Sequence, residues 1–171
     1  MVILRKLNPS DAATLASIAN NKKIADNLRD VFPHPYTLKD AEWFIQFDSN
    51  ESPDHRWAIE YNSKLCGIIG LHVKEDVYAQ NLEIGYWLGE EYWGKGIMTQ
   101  AIQQVLKIGF EDLNCHRIYA SVFDYNDGSR RVLEKAGFRN EGLLIESIYK
   151  NEGYHNEIRF GMTKLEYKKR G

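Results

Sequence analysis

Only two cysteines occur in the 171 residues, Cys66 and Cys115, and they do not form the spacing of a disulfide framework or a metal knuckle. Both sit in apolar or strand-like stretches, where a free thiol packs as a small hydrophobe. The five histidines are scattered, with no HxxxH or HxH pair, so no metal is expected. Long apolar runs are also missing. Nothing approaches the roughly 20 residues a membrane-spanning helix needs, and Met1-Val2-Ile3-Leu4-Arg5 reads as too short and too soon charged for a secretion signal. Neither sign of charge dominates: 22 basic against 24 acidic residues give a net charge of −2, which offers no electrostatic footing for nucleic acid. The expectation is a cytoplasmic protein with no nucleic-acid or membrane partner. With 43% hydrophobic and 27% charged residues the composition is that of a globular chain, and residues 1–171 read as one domain.

What is present has a clear order. Val2 to Leu7 reads as a first strand, Asn8-Pro9-Ser10-Asp11 as turn and cap, and Ala12 to Ile18 as a short helix. Thr37-Leu38-Lys39-Asp40 has the spacing of a capping box ahead of Ala41, Phe44, Ile45 and Phe47. Between these helices, two prolines make the stretch from Leu28 to Tyr36 a loop, either walling a substrate groove or covering the core. Trp57–Tyr61, a turn at Asn62-Ser63, and Leu65–Leu71 form a hairpin pattern, and Leu82 to Leu88 a further strand. Apolar residues recur at helical spacing from Gly96 to Phe110. Arg117 to Tyr125 is strand-like, and Ser129 to Ala136 a short helix closed by Gly137. Two final strands, Gly142–Tyr149 and Glu157–Thr163, flank the polar turn Lys150-Asn151-Glu152-Gly153. The order β-α-α-β-β-β-α-β-α-β-β argues an α/β domain on one mixed sheet.

The most informative stretch joins the strand Leu82–Leu88 through Trp93-Gly94-Lys95-Gly96 to the helix beginning Ile97-Met98-Thr99. The first N–H groups of such a helix have no intrahelical partner and favour an anion, and glycines let a pyrophosphate approach the backbone. A tight turn with no ligand has the same local pattern. Two other phosphate motifs fail: there is no GxxxxGK[ST], and Thr99 stands where GxGxxG needs its third glycine.

The turn resembles the central motif [QR]-x-x-G-x-[GA] of the GNAT acetyltransferases, on Trp93-Gly94-Lys95-Gly96-Ile97-Met98. Trp93 departs from Arg or Gln, and Met98 from Gly or Ala. Similar YWGKG forms are typical of the branch containing the ribosomal-protein N-terminal acetyltransferases. A second stretch, from Asn126-Asp127-Gly128-Ser129 to Gly137-Phe138, is similar to the family's N-x-x-[SA]…G-F signature, although Asn126 and Ser129 alone make an ordinary helix cap.

The resemblance implies the GNAT fold: one mixed, mostly antiparallel sheet with a splayed strand pair and helices on both faces. It implies acetyl-CoA as co-substrate and an amine acceptor, either a protein N-terminus or a small amine; a non-catalytic acyl-CoA-binding module is the reading from another class. It also makes a homodimer an expectation. Cofactor-binding residues implied are Trp87, Leu88, Trp93, Gly94, Lys95, Gly96, Ile97, Met98, Thr99, Asn126 and Ser129. For catalysis, the family's Tyr seven residues after the Asn is Leu133 here, so Ser129 is the candidate proton donor. The base credited to the branch falls on Ile148. Glu83, on the central strand, is the candidate base, with Glu146 behind it on strand parity. His72 reads as a structural or rim residue.

Overall fold

The computed structural model describes residues 1–50 and 55–170. Its seven strands lie in the order β1-β2-β3-β4-β5-β7-β6. The chain divides into two compact units, Met1–Gly70 with Tyr86–Ala101, and Leu71–Gly85 with Ile102–Gly171.

In the first unit, β1 (Val2–Arg5) pairs antiparallel with β2 (His55–Tyr61), Val2 opposite Tyr61. Arg5 pins the chain where it leaves β1. Its Nη atoms donate to Asp11 at 2.8 Å and its Nε to Glu60 at 2.7 Å. That anchor ends the strand at Arg5 rather than Leu7 and delivers Asn8 as a cap, in a reciprocal capping box with Asp11. Helix α1 (Ala12–Ala19) follows, then a four-residue α2 (Lys22–Ala25) capped by Asn21, which has no apolar periodicity to announce it. Helix α3 (Leu38–Asn50) starts on the expected box: the Asp40 N–H donates to Thr37 Oγ1, and the Thr37 N–H to Asp40 Oδ2. Leu15, Ala16 and Ala19 of α1 meet Ala41 and Ile45 of α3, Ala58 of β2, and Leu65 and Ile68 of β3 (Lys64–Val73) in one core. Tyr36 belongs to that core, Phe32 packs on it at 4.9 Å from the Tyr36 ring, and Phe32 meets Trp87 edge-on at 5.6 Å. The aromatics of the 28–36 loop therefore cover the core. Cys66 is fully buried, its thiol donating to the Ile59 carbonyl, and burial raises its pKa to about 11.

In the second unit, β4 (Asn81–Leu88, through Gly85) pairs parallel with β5 (Arg117–Phe123) from Asn81↔Arg117 to Glu83↔Tyr119. Strand β7 (Gly153–Thr163) pairs antiparallel with β5 and with β6 (Arg139–Lys150), which is the edge strand. Ile118, Ala120 and Val122 alternate inward along β5, as the sequence pattern requires, against half-buried Tyr119, Ser121 and Phe123. They join Phe110, Leu133, Phe160 and Met162 in the buried set of this unit, and Cys115 is buried there too. Strand β5 stops at Phe123, short of Tyr125, because the Asn126 N–H turns back to the Phe123 carbonyl. Helix α5 (Asp127–Ala136) accordingly begins two residues before Ser129, with Asn126 as its cap, and ends at Gly137 in the left-handed conformation. A C-terminal helix, α6 (Lys164–Lys168), opens on a capping box between Thr163 and Glu166. The T-x-x-E spacing that marks it is present in the sequence and was not among the expected elements.

Helix α4 (Ile97–Lys107) has residues in both units and passes into a π-helical turn at Ile108–Asp112. No helix among the described residues is long and apolar enough to cross a membrane.

Candidate active site

One group of candidate residues lies in the first unit, where β4 ends. Leu88 is buried, and a Cβ on Gly67 of β3 would come within 2.2 Å of the Trp87 carbonyl oxygen, so the two strands touch closely there. A single 3-10 turn, Glu90–Tyr92, carries the chain outward. It is held by the Glu90 carboxylate, which accepts from the Asn21 amide at 2.8 Å and pairs with Lys23.

The turn then rests on alternating backbone handedness. Gly94 and Gly96 have φ of 72° and 73°, in the left-handed region that costs other residues roughly 1–2 kcal/mol. A Cβ at either glycine would meet nothing within 4 Å. Conformation, not crowding by the protein, therefore calls for glycine here, and open space lies in front of the turn. Trp93 takes the position where the family motif has Arg or Gln, and its indole N–H donates to the Leu88 carbonyl at 2.8 Å. The side chain thus ties the turn back to the strand end. Lys95 reaches over the Tyr92 ring at 5.8 Å.

Ile97 and Met98 point inward, 1% and 6% exposed, which accounts for a bulky Met98 at a Gly/Ala position: only its main chain faces the turn. Gln100 makes the N–H to Gly96 carbonyl bond of the first helical turn, and the N–H groups before it lie at the helix start, where an anion is favoured.

Another group of candidate residues lies in the second unit. Asn126 Oδ1 accepts the Ser129 N–H at 3.1 Å, so the motif's Asn does cap α5, and its Nδ2 donor stays outside that cap. Ser129 is half-buried in the first turn. Leu133, at the family's Tyr position, is fully buried in the core and brings no proton donor.

Glu83 is one of three buried polar or charged residues among those described. Lys74, just beyond β3, donates to Glu83 Oε2 at 2.5 Å, and the Tyr119 hydroxyl lies 3.4 Å from the same oxygen. Burial works against the Lys74 ammonium, but the hydrogen bond and charge of Glu83, with Tyr119, outweigh it and leave its pKa raised. Neither Lys74 nor Tyr119 was singled out from sequence. Tyr119 is found through the register Glu83↔Tyr119, which no local pattern encodes. His72 lies beside Gly85, its Nε2 2.9 Å from where a Cβ would stand.

Glu146 departs from the expected alternation. The β6–β7 register shifts between Leu144 and Ile148, and Glu146 sits in that bulge at φ 49°, exposed. Parity with residue 148 therefore does not carry through the strand. The Lys150–Gly153 turn is a two-residue hairpin with Asn151 and Glu152 both left-handed.

A family model described as "Acetyltransferase (GNAT) domain" matches residues 1–139. Two curated bacterial relatives span nearly the whole chain. YdaF of Bacillus subtilis (strain 168), provisionally named a ribosomal N-acetyltransferase, is 29% identical, covering 97% of this chain and 93% of its own. The spermidine N(1)-acetyltransferase of Escherichia coli (strain K12) is 26% identical, covering 97% and 88%. Among solved structures, spermidine N-acetyltransferase from Vibrio cholerae in complex with CoA and spermine superposes with a TM-score of 0.82 at 25% identity, covering 97% of both chains. The chain belongs to the GNAT acetyltransferase family, as an N-acyltransferase that takes its acetyl group from acetyl-CoA.

Proposed function

We propose that the acceptor is a protein N-terminal amine, and that the pyrophosphate of acetyl-CoA lies against the main chain from Gly94 to Thr99. The observation that carries the cofactor reading is the pair of left-handed glycines opening on empty space at the start of α4. Trp93 and Lys95 serve the turn, the first by fixing it to Leu88 and the second by its charge. Ile97 and Met98 contribute backbone alone. Main-chain groups of Trp87 and Leu88 take the pantetheine arm as a neighbouring strand would, and an N–H there polarises the thioester carbonyl. Asn126 Nδ2 is a further donor to the arm. The whole chain works as one catalytic domain.

In this mechanism Glu83 takes a proton from the acceptor ammonium, leaving a neutral amine and a protonated carboxyl. The amine attacks the thioester carbonyl, a C–N bond forms, and the C–S bond breaks as the tetrahedral intermediate collapses. The second amine proton leaves to water, Ser129 protonates the departing thiolate, and water restores Ser129 and Glu83. Proximity of a neutral amine to the thioester supplies a large share of the acceleration.

The N-terminal reading is supported by the YdaF relationship and by Ser129 in the N-x-x-S motif. Acetylation of a polyamine is the second reading, favoured by the Escherichia coli relative at similar coverage. Coenzyme A release with acetyl-CoA, assayed against peptides with free N-termini and against spermidine, separates them. Turnover of the peptides with none on spermidine is expected; the reverse overturns the first reading, and no turnover on any amine leaves an acyl-CoA-binding module.

A homodimer is proposed on the same footing. Leu143, Leu144 and Ile145 stand exposed along edge strand β6, as a surface a second copy would cover, and sedimentation equilibrium checks it. A cytoplasmic location fits two buried thiols and the acetyl-CoA requirement.

A further inference from the structure

A carboxylate as deeply placed as Glu83, 8% exposed, would be disfavoured in its charged form if it stood alone. A protonated carboxyl is useless for taking a proton from an ammonium ion. Something must keep it ionised before the acceptor arrives, and the charged groups around it can be sorted by their partners. Arg117 on β5 pairs with Glu141, and Arg159 on β7 with Glu157. Both arginines also lie over the Tyr119 ring, Arg159 at 4.8 Å and Arg117 at 5.8 Å. His72 lies beside Gly85, two residues along β4 from Glu83. Tyr119 lends its hydroxyl to Glu83 Oε2, but carries no positive charge. Lys74 is a cation bonded to the carboxylate, on that same oxygen, and it also lies over the Tyr119 ring at 5.8 Å. Lysine, base candidate and tyrosine thus form one half-buried cluster inside a single unit.

We propose that Lys74 is a positioning residue of the acetyl transfer: its ammonium keeps the Glu83 carboxylate ionised and turned to a fixed orientation, ready for the acceptor's proton. The inference rests on the reading of Glu83 as base. The raised pKa of Lys74 agrees with it, since a cation stabilised by a carboxylate stabilises that carboxylate in return. Removing the cation raises the pKa of Glu83, so activity that needs the carboxylate form is lost at a higher pH.

The test is the pH dependence of kcat/KM in the full chain, with whichever amine of the panel above turns over fastest. Lys74→Met should move the acidic limb upward by roughly 1–3 units, the usual effect of one adjacent charge. Lys74→Arg should return it most of the way, and Lys74→Gln repeats the experiment in a polar background. Carboxyl 13C titration of Glu83, assigned through Glu83→Gln, should move in the same direction without any substrate. A Lys74→Met protein whose limb and carboxyl titration match the parent's overturns the proposal, while a limb that flattens in Glu83→Gln leaves the base reading standing. A limb unchanged in Glu83→Gln removes both.

Discussion

Because Asn126 Oδ1 receives the Ser129 N–H, substitution by alanine removes a helix cap, at about 1 kcal/mol, together with any contact to the cofactor. Serine separates the two, since it caps nearly as well as asparagine but lacks the amide donor. Asn126→Ser should keep the parent's thermal midpoint and weaken coenzyme A binding roughly fivefold, the worth of one neutral hydrogen bond. Calorimetry giving equal affinity would return Asn126 to a capping role alone. Ser129 is different, because the cap uses only its main chain. Ser129→Ala should lower kcat by about 10²-fold and leave the acetyl-CoA affinity close to the parent's. A loss confined to affinity would make Ser129 a cofactor contact rather than a proton donor.

At the scale of elements, the strand–turn–helix from β4 to α4 is the part whose geometry is most tightly specified. Valine at position 96 would force a β-branched residue to φ near 73° and place its side chain in the open space before the turn. Gly96→Val should cost coenzyme A affinity about tenfold or more in a folded protein, and unchanged affinity by calorimetry would move the pyrophosphate elsewhere. This turn was legible in the sequence because glycine spacing records backbone handedness directly. The caps at Thr37 and Asn126 were legible for the same local reason, as was the alternation of β5. Other features depend on what no local window contains. Tyr119 meets Glu83 through the register of the parallel β4–β5 pair, Lys74 reaches it from just beyond β3, and Glu146 lost its expected side of the strand to a bulge between Leu144 and Ile148. The 28–36 loop could be assigned as loop from its prolines, but the burial of Tyr36 in the core follows from tertiary packing.

For the molecule as a whole, several carboxylates are held below their ordinary pKa by hydrogen bonds that exist only in the fold. Asp11 is lowered first by its bonds to Arg5, Glu141 by Arg117, Asp40 by the Thr37 hydroxyl, Glu90 by Lys23, and Glu166 by the Thr163 N–H. A depressed folded-state pKa stabilises fully above the unfolded value, near 4, and that contribution is lost as pH falls through the folded value. The urea midpoint should therefore hold from neutral pH to about 5 and fall steeply below about 4, and Asp11→Asn should remove part of that slope. A midpoint that stays level to about pH 3 would contradict this account. Finally, the indole that fastens the phosphate turn to Leu88 is also a chromophore. Trp93 is one of four tryptophans and is 44% exposed at the lip of the turn, so coenzyme A should alter its emission directly. A fluorescence titration of the parent against Trp93→Phe should show most of the change vanish in the variant, giving this protein an unlabelled optical gauge of cofactor occupancy.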